Sequence, residues 1–121
     1  MFDWQDELKK QYPLTLSHLA YFECNEGWFD LLNNLCSVIE DHIKHKKLEE
    51  TYADQVKEKF GSLRFYMSSH DEFIEGAIVL AERQSAHICE VCGKPGKIEN
   101  LRGWLKALCV EHHEQMKKNA R

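Results

Sequence analysis

The sequence predicts an α+β fold, with a helical N-terminal part that carries one β-hairpin and a small C-terminal module built on a different principle. Three observations lead there. Apolar residues recur at helical spacing from Gly27 to about Leu48 and again over residues 71–86; the period falls to two in "VKEKFGSLRFYM"; and after residue 87 two cysteine and histidine clusters follow at metal-ligand spacing. The chain has 121 residues, 43% of them hydrophobic and 30% charged, which suits one small core and leaves an appended module in need of its own staple. We therefore expect residues 1–86 and 87–121 to differ in construction yet pack as one unit, because no Gly-, Ser- or Pro-rich linker separates them.

Residues 3–11 read as a short helix that Pro13 ends, since the residue before a proline is pushed out of the α region. The helix from Gly27 carries Trp28, Leu32, Leu35, Cys36, Ile39 and Ile43 on one stripe. Asn25 is its expected cap, Glu26 and Asp30 lie near its positive end, and His42, Lys44, His45, Lys46 and Lys47 crowd its negative end. In the hairpin, Gly61-Ser62 suits a type II′ turn, which would set Phe60 opposite Leu63 and Val56 opposite Met67 on the core face. The other face would hold Lys57, Lys59, Arg64 and Tyr66. Ser69 and Glu72 are placed to form a capping box for the next helix, whose apolar residues are Phe73, Ala77, Ile78, Leu80 and Ala81.

The N-terminus is charged and amphipathic, and no long apolar run follows, so neither a signal peptide nor a membrane span is expected and a reducing, cytoplasmic location is. In that setting five cysteines do not read as a disulfide framework. Cys89 and Cys92 have the C-x2-C spacing of a metal knuckle, and Cys109 follows with His112 and His113 close behind. The intervening "GKPGKIENLRGWLKAL" has room for a knuckle turn, two short strands with a turn at "NLRG", and the start of a helix at the last cysteine. Knuckle, hairpin and helix give a treble-clef-like zinc module.

Cys89, Cys92, Cys109 and one histidine would complete a tetrahedron around one Zn2+. That leaves no position for water or substrate, so the ion would be structural and the protein not an enzyme. His112, at C-x2-H, is favoured because its spacing mirrors the knuckle pair; His113, at C-x3-H, is the competitor, with His87 a weaker substitute. A redox dithiol is disfavoured because Gly93, Pro95 and Gly96 forbid the helix that a thioredoxin-type pair needs. The "HDE" of His70–Glu72 before the C-x2-C mimics a zinc deaminase, but no proline precedes Cys89 and the second cluster would go unexplained. An HNH nuclease is suggested by "LCVEHH", yet no histidine lies between Cys92 and Cys109 to activate water. Cys24 and Cys36 read as small apolar residues, and His42 and His45 as solvated ones.

"GWFDLL", "QVKEKFGSLRFYM", "CEVCGKPGK" and "GWLKALCVEHH" together resemble a family of small bacterial and phage-borne proteins with an FGxLRFY hairpin and a C-terminal CxxC…CxxH zinc-finger-like pattern. The resemblance runs from about residue 25 to 115 and implies Cys89, Cys92, Cys109 and His112 as ligands and a location inside bacteria. It does not explain the acidic N-terminal third. There, eight acids face only Lys9 and Lys10 over residues 1–41, whereas residues 87–121 hold seven basic residues against four acids.

A general polyanion binder is therefore disfavoured and a basic protein partner is expected, docking at Glu23, Glu26 and Asp30. An immunity protein or phage inhibitor would have this character. The alternative is a nucleic-acid-binding or regulatory zinc finger that uses Lys94, Lys97, Arg102, Lys106, Lys117 and Lys118.

Overall fold

In a computed structural model, residues 2–69 and 71–119 are described. Among the described residues the fold is α+β: five α-helices, a three-stranded mixed sheet and a C-terminal hairpin. Helix α1 (Trp4–Gln11) is capped by Asp3, whose carboxylate accepts from the Gln5 and Asp6 amides. Pro13 does more than end it. Proline is at home in a first turn, where no N–H is needed, and here it opens a second helix, α2 (Pro13–Leu16). Buried Glu40 reaches across to cap α2, accepting from the backbone amides of Leu14 and Thr15 and from the Thr15 hydroxyl at 2.7–3.1 Å. One of the eight acids counted over residues 1–41 is thus consumed inside the fold.

Strand β1 (Phe22–Glu23) leads through a 3-10 turn (Glu26–Trp28) into α3 (Phe29–Lys46), which ends where Lys47 turns left-handed. Strands β2 (Ala53–Lys59) and β3 (Ser62–Met67) form the antiparallel hairpin, and β1 lies parallel to β2 with Phe22 opposite Val56. Helix α4 (Glu72–Ser85) packs on α3 and β3. The core joins Leu8, Leu16, Trp28, Leu32, Ile39, Val56, Leu63 and Ile74, all fully buried. Strands β4 (Lys97–Leu101) and β5 (Trp104–Leu108) and helix α5 (Val110–Asn119) complete the chain. No described helix is long and apolar enough to cross a membrane.

Four local expectations are corrected. The hairpin pairs Lys59 with Ser62 and Val56 with Phe65, so its loop is Phe60-Gly61, with φ of 55° and 88°, a type I′ pattern. Phe60 therefore sits exposed in the turn, and the Glu58 carboxylate, accepting from the Gly61 amide at 2.8 Å, holds that register. Asp71, not Ser69, caps α4, accepting from the Ile74 amide, while Ser69 donates to the Glu50 carbonyl. The buried stripe of α4 is Ile74, Ile78, Ala81 and Ser85; Phe73 and Leu80 point outward, 52% and 60% exposed. Finally, Asn25 makes no side-chain cap, and its backbone amide is directed instead to Glu90.

Candidate metal centre

The C-terminal module is built around backbone turns that aim sulphur inward. In the knuckle, the Gly93 amide donates to the Cys89 carbonyl at 2.9 Å and the Cys89 amide to the Lys94 carbonyl at 2.8 Å. Gly93 has φ of 83°, a conformation that glycine adopts without a Cβ penalty. The β4–β5 hairpin turns at Arg102-Gly103, again with two positive φ values, and delivers Cys109 to the start of α5. His112 lies one turn into that helix, on the side of Cys109.

The side-chain donors of Cys89, Cys92, Cys109 and His112 all lie within 4.8 Å of one another. Cys92 Sγ is 3.8 Å from Cys109 Sγ, and His112 Nδ1 is 3.2 Å from Cys109 Sγ and 3.7 Å from Cys89 Sγ. A tetrahedron with Zn–S bonds of about 2.3 Å has S···S edges of about 3.8 Å, so the cluster has the size that a zinc ion requires. The donor set fits as well: three thiols and an imidazole are the soft and borderline ligands of structural zinc sites. Burial pushes the Cys89 thiol up, but the amides of Cys109, Cys92 and Val91 outweigh it and hold its pKa below the ordinary value, favouring thiolate.

His113 goes elsewhere. Its Nδ1 is 3.7 Å from a Glu99 oxygen, and it lines a cleft with Asn100, Arg102 and Lys117. His87 is exposed and engages the knuckle through its carbonyl, which accepts from the Gly96 amide. Cys24 lies apart from the cluster; burial, with Glu90 and Glu58 nearby, pushes its thiol up to about 12, so it stays protonated at neutral pH. Cys36 is fully buried in α3 and is likewise raised by burial. His42 pairs with Asp71 at 2.6 Å and stacks on Phe73, a role in fixing α4 that sequence reading missed. His70 lies outside the described residues.

The site is bolted to the rest of the chain by residues to which the sequence reading gave no such role. Gly27 donates to the Glu90 carbonyl at 2.8 Å, and a Cβ placed on it would lie 2.3 Å from the carbonyl oxygens of Cys89 and Glu90. Buried Trp28 donates its indole N–H to the Ile88 carbonyl at 3.0 Å. Glu90, between the two knuckle cysteines, is only 2% exposed; its carboxylate accepts from the Asn25 amide at 3.0 Å and from Lys106 at 3.3 Å. Lys106 also donates to Glu58 at 3.1 Å, so one ammonium ties the β2–β3 hairpin, the knuckle and β5 together. Burial raises the Glu90 carboxyl above its ordinary range, and Lys106 partly offsets that. Nothing in a C-E-V-C string signals such a role, because the partners lie 16 to 65 residues away.

Of the three acids proposed for docking, two come together. Glu26 and Asp30 line a cleft of about 420 Å³ with Phe2, Phe29, Gly27 and the knuckle residues Val91, Cys92 and Gly93. Glu23 lies on β1, where it accepts from the Gln55 side chain at 3.1 Å. Comparison of the chain with protein-family models, curated proteins and solved structures yields no match.

Proposed function

We propose that Cys89, Cys92, Cys109 and His112 hold one structural zinc ion and that the chain is a non-enzymatic protein-interaction protein. Its knuckle cleft would receive basic side chains of a partner. The observation that carries this reading is the cleft itself: two carboxylates, Glu26 and Asp30, stand beside the Phe2 and Phe29 rings against the rim of the metal module. Carboxylates and aromatic rings together suit a lysine or arginine, through charge and cation–π attraction. Four protein donors saturate a tetrahedral ion, which supports a bracing role over a catalytic one. The resemblance to bacterial and phage-borne proteins fits an immunity protein or phage inhibitor acting in a reducing cytoplasm.

A second reading, as a nucleic-acid-binding or regulatory zinc finger, rests on the cleft that Arg102 and Lys117 line with His113, beside a hairpin that exposes Trp104. It is weakened by Lys106, which is taken up by Glu58 and Glu90. The test is affinity capture on immobilised wild-type protein and on a Glu26→Lys/Asp30→Lys variant, with gel shifts at low and high salt. Capture of a basic protein that the variant loses, while keeping its Tm and zinc content, is expected. Equal capture by both columns, or a nucleic-acid shift that collapses with salt, would overturn the leading reading.

A further inference from the structure

We propose that the chain forms a two-fold homodimer through the outward face of α4, packed antiparallel against α4 of a second copy. Glu72, Glu75, Gly76, Val79, Leu80 and Arg83 share one side of the helix and line an open depression of about 630 Å³. Val79 and Leu80 are 42% and 60% exposed there, although α4 has a separate buried stripe that satisfies its own core. Leu80 also borders an apolar groove of about 230 Å³ between α3 and α4, where Val38 is exposed as well, so the apolar surface continues beyond one helix.

Gly76 is informative because it sits exposed in mid-helix, where glycine weakens the helix, and nothing lies within 4 Å of where its Cβ would be. The chain's own packing does not call for a glycine there; a second backbone approaching closely would.

The charges select the occupant. Glu72 is at one end of the face and Arg83 at the other, so an antiparallel copy brings each glutamate against the arginine of its partner. The register that pairs position 72 with 83 also pairs position 76 with 79, seating a valine of each copy over the glycine of the other. A parallel arrangement would oppose like charges at both ends. Self-complementarity under a two-fold rotation is the property an isologous interface needs. A 14-residue helix spans about 21 Å, and together with the α3–α4 groove it offers a surface suited to a modest, concentration-dependent dimer.

The test is sedimentation velocity with light scattering on the full chain across a concentration series, for wild type, Glu72→Arg, Arg83→Glu and an equimolar mixture of the two variants. Wild type is expected to dimerise, and each variant alone to raise the dimer Kd by ~10-fold or more. The mixture should form a heterodimer close to wild-type affinity, since one copy then carries two arginines and the other two glutamates. If Glu72→Arg lowers the Tm, Glu72→Gln and Arg83→Gln take its place; their mixture regains one of the two ion pairs and should bind more tightly than either variant alone but less tightly than wild type. A wild-type monomer up to ~1 mM, a dimer indifferent to both substitutions, or a mixture that fails to associate would overturn the proposal. Binding of an unrelated protein to α4 of a chain that stays monomeric would overturn it too.

Discussion

Gly27→Ala is the sharpest perturbation of the joint between the two parts of the chain. The added methyl would lie 2.3 Å from the carbonyl oxygens of Cys89 and Glu90 and 2.4 Å from the Glu90 carbonyl carbon, all backbone atoms that cannot rotate aside. Ordinary contact would require the knuckle to retreat by roughly 1 Å. That movement strains three hydrogen bonds across the joint: Gly27 to Glu90, Trp28 to Ile88, and Asn25 to the Glu90 carboxylate. Overpacking costs about 1–3 kcal/mol and each strained bond up to about 1 kcal/mol, while replacing glycine in a short helical turn returns at most about 1 kcal/mol. The expected net loss is about 3–4 kcal/mol. Urea unfolding at saturating zinc, followed by tryptophan fluorescence, measures it, since Trp28 is buried at the same joint. A loss below about 1 kcal/mol with an unchanged m-value would refute the reasoning, because it would mean that the module can move away freely.

Lys106→Met leaves Glu58 and Glu90 without their shared cation; removing one partner of a buried pair costs about 3–5 kcal/mol, reduced to about 2–4 kcal/mol here because Lys106 and Glu58 keep some solvent access. Adding Glu90→Gln should recover part of that loss in a double-mutant cycle, and strict additivity would deny the coupling. Asp71→Asn preserves a capping oxygen for the Ile74 amide but removes the charge facing His42. The hydrogen bond from His42, then the Ile74 amide, hold the Asp71 carboxyl below its ordinary value, so its contribution is present above the unfolded aspartate pKa and fades as pH falls through the lower folded value. The Tm gap between wild type and Asp71→Asn should therefore be widest near neutral pH and close on acidification; a constant gap would contradict this.

The α+β class and the donor cluster were legible because each has a local signature. Helical spacing marked α3, and two short-range ligand pairs, Cys89 with Cys92 and Cys109 with His112, need only a knuckle and one helical turn to form. Choosing between His112 and His113 required knowing which way α5 faces. The hairpin was readable as a hairpin, but its register was not: Phe60 looked like core, and only the Glu58–Gly61 hydrogen bond and two positive φ values favour a loop one residue earlier. In α4, Phe73 and Leu80 were read among the apolar residues that mark the helix, whereas Ile74 and Ser85, not named there, occupy its buried stripe. The long-range polar braces escaped because a buried Glu40 or Glu90 is indistinguishable in sequence from a solvated one. Their partners are set by tertiary structure, as with Glu40 and Thr15, 25 residues apart.

Cys89, Cys92, Cys109 and His112, closed around one divalent cation, would leave it no room to react. X-ray absorption at the zinc edge, combined with elemental analysis of the purified protein, tests it most directly. One zinc per chain with three sulphurs at about 2.3 Å and one nitrogen at about 2.0 Å is expected. An oxygen ligand in the coordination sphere, or a natively folded chain that carries no metal, would contradict it.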